Sequence, residues 1–185
     1  DKKLQGAMVT LDAKTGEVRS IIGGKGYRSG NFNRSIDAKR QIGSTFKPFI
    51  YYTALKKGYT MNQIIDGSNT KYGDWSPKNY SNAQYKNITL IQSLEKSVNT
   101  VAVKLLNDVG IDNVINNFTQ TGVNVKFNKD LTIALGSTSA SPLELASSYL
   151  PFANGGTAYK NSFINRIEDV DGKIIYENTN LKGQK

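Results

Sequence analysis

The apolar residues of this chain change period along its length, and that change constrains the fold more than any other feature. Residues 6–12 read GAMVTLD and residues 17–22 read EVRSII, two short β-rich runs. Between them Asp12-Ala13-Lys14-Thr15-Gly16 has turn composition, with a glycine free to take positive φ. The pattern predicts a hairpin. A second one is predicted over 163–170 and 173–177, around an Asp171-Gly172 turn. Between the hairpins the period lengthens to three and four residues. Phe46, Phe49, Ile50 and Ala54 carry it across Ser44 to Lys57, and 88–96, 100–109, 111–119 and 142–154 read as further helices. Proline is tolerated only in a first turn, so Pro48 predicts a helix opening at Ser44 or a residue or two before it. Residues 66–84 are polar and turn-rich, with Trp75 and Tyr80 inside. The expectation is an α+β chain of 185 residues, long enough for a core of ordinary size.

Two absences limit the chemistry. With no histidine and no cysteine, Ser-His-Asp and Cys-His machinery, thiolate or imidazole metal sites and disulfides are excluded. Acid–base work falls to Lys, Tyr, Asp or Glu. Gly24, Gly26 and Gly30 are wrongly spaced for a dinucleotide loop, and Asp169-Val170-Asp171-Gly172 lacks the rest of a calcium loop. No cofactor and no metal is expected. The formal charge of +9 points to anionic partners, whether nucleic acid, a membrane face or a wall polymer. No run approaches the roughly 18–20 apolar residues of a membrane span.

Ser-x-x-Lys occurs three times, at Ser44/Lys47, Ser68/Lys71 and Ser93/Lys96. Ser68 sits in a turn, and Ser93 in a Glu/Lys-rich stretch that reads as a solvated helix face. Ser44 alone follows a glycine, opens a helix and has an apolar run behind it. Residues i and i+3 of a helix share a face, about 5–6 Å apart at Cβ. A lysine shielded from water has a lowered pKa and can serve as a base. In a chain without histidine, Ser44 and Lys47 are the nucleophile–base pair still open. The competing reading makes Ser44 a plain helix cap and Lys47 a surface charge. Ser97-Val98-Asn99 lies at a helix break, where Ser97 could relay a proton and Asn99 hold a carbonyl. The competing reading there is a cap for the helix that follows. Lys14-Thr15-Gly16 is read as turn chemistry.

Together these residues resemble a known family. Gly43-Ser44-Thr45-Phe46-Lys47-Pro48-Phe49 resembles the active-site segment of penicillin-binding proteins, especially the transpeptidase domain of the bifunctional class A members. The opening LQGAMVTLDAKTGEVRSIIGG is similar to the first hairpin of that domain, and Ser76-Pro77-Lys78-Asn79-Tyr80 to its cleft loop. Ser97-Val98-Asn99-Thr100 matches its second motif, and Ala134-Leu135-Gly136, Pro142–Ala146 and Phe152–Gly156 its later helical region. The resemblance covers about residues 4–178. It implies the penicillin-binding protein/serine β-lactamase fold, an α/β sandwich with a helical subdomain. Hairpins 4–24 and 162–178 would lie on the sheet side, with 43–156 mainly helical.

It further implies a d,d-transpeptidase of peptidoglycan. Ser44 would attack the d-Ala-d-Ala bond of a stem peptide and Lys47 would take its proton. Ser97 and Asn99 would serve proton transfer and substrate, and Trp75 and Asn79 would line the substrate cleft. β-Lactams would acylate Ser44. An upstream glycosyltransferase domain and a place on the outer face of the bacterial cytoplasmic membrane, anchored by a segment outside these residues, are expected. Ile42 stands where many members have proline. The family's Lys-Thr/Ser-Gly motif is missing, so the expectation is the N-terminal part of the domain. That part should be poorly stable and inactive alone, and completed by a second polypeptide carrying the motif. Alternatives are a class D-like serine β-lactamase or β-lactam sensor, against which Asn99 speaks, and a non-catalytic wall-binding scaffold. A nucleic-acid module on the basic 23–40 loop, with Tyr27 and Phe32, has no recognised motif beside it, and no nucleic-acid partner is expected.

Overall fold

A computed structural model describes residues 4–26, 28, 30–179 and 183. In chain order the elements are β1 (Met8–Leu11), β2 (Val18–Ile22), β3 (Arg40–Gln41), α1 (Lys47–Lys56), β4 (Ile64–Asp66), β5 (Asn87–Thr89), α2 (Leu90–Glu95), α3 (Asn99–Val109), α4 (Ile111–Thr119), β6 (Ser139–Ala140), α5 (Pro142–Ser148), α6 (Leu150–Asn154), β7 (Arg166–Glu168) and β8 (Ile174–Glu177). Short 3-10 turns occupy Gly43–Phe46, Tyr80–Asn82 and Leu131–Leu135. No described strand belongs to a sheet of more than two strands.

The chain divides into two compact units. One holds residues 1–40, 118–124 and 140–185, and the other 41–117 and 125–139. Both expected hairpins form in the first unit. β1 and β2 pair antiparallel from Met8↔Ile22 to Leu11↔Val18. Their turn closes where the Gly16 N–H, at φ +73°, donates to the Asp12 carbonyl at 2.8 Å. Ser35, fully buried, ties the open end by donating its hydroxyl to the Ile22 carbonyl at 2.6 Å. β7 and β8 pair antiparallel around Asp169–Gly172, and every residue of both strands is exposed.

The expected single helix over 142–154 is two helices. α5 opens with a capping box between Ser141 and Glu144, and α6 restarts with Pro151 in its first turn. Proline lacks the N–H that a continuous helix would need there, so the axis breaks at Tyr149.

The second unit carries the larger core. α1 packs on α3, and α3 on the Leu131–Leu135 turn. Val101, Ala102, Leu105, Leu106 and Val109 of α3 recur at three-to-four spacing and are buried. They face Phe49, Ile50 and Ala54 in α1's buried set and Ile133 and Ala134 in the turn. Each fully buried aliphatic or Phe side chain contributes about 1.5–3 kcal/mol. That core is the platform on which the start of α1 and the α2–α3 junction are held. Ile88, expected in a helix, lies instead in β5, where it pairs with Ile65 of β4. The helix behind it starts at Leu90, capped by a Thr89–Gln92 box.

Candidate active site

Ser44 sits in the Gly43–Phe46 turn, and the α-helix proper begins at Lys47. The expected helix start at Ser44 is thus a tighter 3-10 turn feeding α1, whose second position is Pro48. The turn is held from both sides. The Ile42 N–H donates to the Thr138 carbonyl at 3.0 Å and the Gly43 N–H to the Gly136 carbonyl at 3.1 Å. Thr45 folds back, its hydroxyl donating to the Ile42 carbonyl at 2.5 Å. Ser44 is exposed, and its side chain caps neither the turn nor α1. The plain-cap reading therefore does not hold.

The surface-charge reading of Lys47 does not hold either. Lys47 is 1% exposed. Burying an ammonium costs several kcal/mol unless it is hydrogen-bonded. Here Nζ donates to the Ser97 carbonyl at 2.6 Å, the Ser97 hydroxyl at 2.8 Å and Asn99 Oδ1 at 2.7 Å. These acceptors favour the charged form and burial opposes it. Burial wins, and the amine is pulled down to about 8. A lysine in that range carries an appreciable free-base fraction near neutrality.

Ser97 owes its place to how α2 ends. The Ser97 N–H donates to the Leu94 carbonyl at 3.0 Å and the Val98 N–H to the Ser93 carbonyl at 2.8 Å. This is a Schellman ending, with Ser97 at the left-handed position, φ +53°. Glycine is the usual occupant. A serine there carries backbone strain, and its carbonyl and hydroxyl are the two groups that receive Lys47. Asn99 opens α3. Its Oδ1 accepts from Lys47, and its amide donates to the Lys78 carbonyl at 2.8 Å.

Asn79 is buried and its amide is used within the protein. Oδ1 accepts from the Thr100 N–H at 3.1 Å, and Nδ2 donates to the Ala83 carbonyl at 2.9 Å. Thr100 in turn donates its hydroxyl to the Gly67 carbonyl at 2.7 Å. Asn79 thus anchors the loop against the start of α3, rather than lying open to a substrate. Trp75 is half-buried and lies 6.4 Å from the Tyr72 ring between centroids, the two residues exchanging backbone hydrogen bonds. Among the expected site residues, Lys47, Ser97 and Asn99 meet directly. Sequence reasoning missed Thr100, Gly136 and Thr138; Thr100 and Gly136 lie inside resembling segments, and Thr138 carried no such signal.

The other Ser-x-x-Lys pairs are accounted for differently. Ser93 is fully buried and hydrogen-bonded to the Tyr51 hydroxyl at 3.0 Å, so the expected solvated face is corrected. Ser68 donates both its N–H and its hydroxyl to the Asp66 carboxylate. In the basic loop Lys39 pairs with Glu144, and Arg34 lies 5.8 Å over Phe32. Tyr27 of that loop lies outside the described residues.

The sequence model of the penicillin binding protein transpeptidase domain matches residues 6–185. Penicillin-binding protein 1A of Aquifex aeolicus is 41% identical over 181 residues, covering 95% of this chain and 25% of that protein. The crystal structure of penicillin-binding protein 1A from Haemophilus influenzae is similar with a TM-score of 0.85 at 32% identity, over 94% of this chain and 27% of that one. PonA1 of Mycobacterium tuberculosis, solved with penicillin V, shares the fold with a TM-score of 0.84 at 21% identity, over 95% of this chain and 51% of that one. The chain spans about a quarter of the length of the curated relatives it matches.

Proposed function

Because this chain belongs to the penicillin-binding protein transpeptidase family, we propose that it carries the nucleophile half of a peptidoglycan d,d-transpeptidase site. One observation carries the reading. Three residues after an exposed serine in a fixed turn, a buried lysine with its pKa near 8 is held on Ser97 and Asn99.

The Ser44 hydroxyl bonds to the carbonyl carbon of a d-Ala-d-Ala peptide and gives its proton to the free amine of Lys47. The amide C–N bond breaks, and the departing d-Ala nitrogen takes that proton by way of the Ser97 hydroxyl. Asn99 keeps the Lys47 head aligned and offers the substrate the amide N–H that it does not give to the Lys78 carbonyl. The amine of a neighbouring stem peptide then displaces Ser44 from the ester, and Ser44 regains a proton. β-Lactams acylate the same oxygen. The half-buried Trp75 is the wall along which the stem peptide lies. The proposal places the site on the outer face of the bacterial cytoplasmic membrane, beside a glycosyltransferase domain in the same polypeptide. No helix among the described residues is long and apolar enough to cross a membrane.

The test is brief exposure of the protein at its natural length to penicillin, followed by denaturing mass spectrometry of the Ser44 peptide. A stable adduct on Ser44, absent in Ser44→Ala, is expected. No adduct on either protein overturns the reading, and rapid hydrolysis of the drug points to a β-lactamase instead.

A further inference from the structure

Gly136 lies 92 positions beyond Ser44 in the sequence, yet its backbone is pressed against the turn that presents Ser44. The Gly43 N–H donates to the Gly136 carbonyl. Both glycines have left-handed backbones, φ +57° at Gly43 and φ +73° at Gly136. The space around them differs. A Cβ at Gly43 would meet nothing within 4 Å. A Cβ at Gly136 would fall inside van der Waals contact of the N, C and O of Gly43. Those are backbone atoms of the residue that precedes the nucleophile, so they cannot swing aside as a side chain would.

We infer that Gly136 is a positioning residue for Ser44: its missing side chain lets the Gly136–Thr138 segment clamp Ile42 and Gly43 and so fixes where the hydroxyl stands relative to Lys47. Two hydrogen bonds, from Ile42 to Thr138 and from Gly43 to Gly136, set the height of the turn. Any side chain at 136 pushes Gly43 outward and carries Ser44 with it. Lys47 belongs to α1, with its head on Ser97 and Asn99, and is not moved by the same displacement. A shift of about 1 Å between reacting groups is enough to cost on the order of a hundredfold in rate.

The inference rests on the acylation reading above, and the experiment separates the two. Wild type, Gly136→Ala and Gly58→Ala are compared at natural length by single-turnover acylation with a fluorescent penicillin. Gly58, at φ +101° with nothing within 4 Å of a Cβ, is also at positive φ but has no neighbour to push. Gly136→Ala is expected to acylate at least tenfold more slowly at saturating drug. Its pre-covalent affinity and the pH midpoint set by Lys47 should stay as in wild type, and Gly58→Ala should keep its rate. Equal rates for Gly136→Ala and Gly58→Ala overturn the inference. So does a Gly136→Ala defect confined to affinity. A wild type that does not label overturns the acylation reading instead. If Gly136→Ala does not accumulate folded, Gly43→Ala reports on the same turn, because it alters the clamped backbone without a clash. A rate unchanged from wild type in Gly43→Ala then overturns the inference.

Discussion

Lys47 and Ser97, fifty positions apart, meet at 2.8 Å between Nζ and Oγ, and the Ser97 carbonyl takes the same ammonium at 2.6 Å. One residue thus offers two acceptors to one buried cation. It does so because the left-handed ending of α2 turns both groups toward the same point. The lysine head is a polar tie between the first turn of α1 and the α2–α3 junction, added to the apolar packing of α1 on α3.

Lys47→Met separates chemistry from stability. Methionine fills the channel of the lysine stem without a charge to desolvate, at the cost of the donor to Asn99. The two effects oppose, so the melting temperature should stay within a few degrees of wild type. Acylation of Ser44 should fall by about 10²–10⁴-fold, the usual contribution of a positioned base. Stopped-flow labelling with a fluorescent penicillin checks the rate, and calorimetry the stability. An undiminished rate would show that Lys47 does not take the serine proton.

The pH profile follows from the same residue. Burial pulls the Lys47 amine down to about 8. In the proposed acylation the reactive form is the neutral amine, so the rate should rise with pH and level off above about 8. Below that point it should fall tenfold per pH unit, as one proton blocks the base. Ser97→Ala removes an acceptor that favours the ammonium, so its midpoint should move to lower pH. A rate that is flat from pH 6 to 9 in wild type would exclude this role for Lys47.

How much of this was readable in the sequence depends on how local each interaction is. The first hairpin was legible because Asp12–Gly16 carries its own turn chemistry, and α4 because its apolar period and bounds are local. The break at Tyr149 is explained by Pro151 but was hidden by the continuous apolar pattern of 142–154. The β4–β5 pair was not legible: each strand has three residues, and the Ile65↔Ile88 pairing joins segments far apart in the chain. Ser93 looked solvated among Glu95 and Lys96, and only the arrival of Tyr51 from α1 shows it buried. At the site, Ser44 and Lys47 were visible through helix spacing, since they are three residues apart. The Asn79–Thr100–Gly67 tie and the Gly43–Gly136 clamp depend on chain folding over 21 to 93 residues, which no local pattern encodes.

Asn79→Ala tests whether the residue anchors or contacts substrate. The substitution leaves the buried Thr100 N–H without its acceptor and frees the Ala83 carbonyl. An unsatisfied buried donor costs about 1–3 kcal/mol, so thermal unfolding should move down by several degrees. Acylation should fall as well, because Lys78 next to it accepts from Asn99. Asn79→Asp restores an acceptor for Thr100 and should recover part of the stability. A full loss of affinity for drug with no loss of stability would instead make Asn79 a substrate contact.

Ser97→Gly should make the protein more stable and less active at once. At φ +53° Ser97 stands where glycine pays no steric cost, and a non-glycine residue in the left-handed region costs about 1–2 kcal/mol. Glycine removes that strain and keeps the Schellman bonds to Leu94 and Ser93, which are made by backbone. It also keeps the carbonyl that receives Lys47. What it deletes is the hydroxyl, and with it the proposed relay from Lys47 toward the leaving group. Loss of the hydroxyl takes one of three acceptors from the buried Lys47 ammonium, which offsets part of the gain, while the Ser97 carbonyl and Asn99 Oδ1 remain. Thermal unfolding should therefore move up by a few degrees, while transfer of a stem peptide to an acceptor amine falls by about 10²-fold or more, the lower range for a proton-transfer group. Differential scanning calorimetry and a cross-linking assay on the same preparation decide it. Loss of stability in Ser97→Gly would mean that the hydroxyl holds the junction together. Full activity in that variant would move the proton relay to another group.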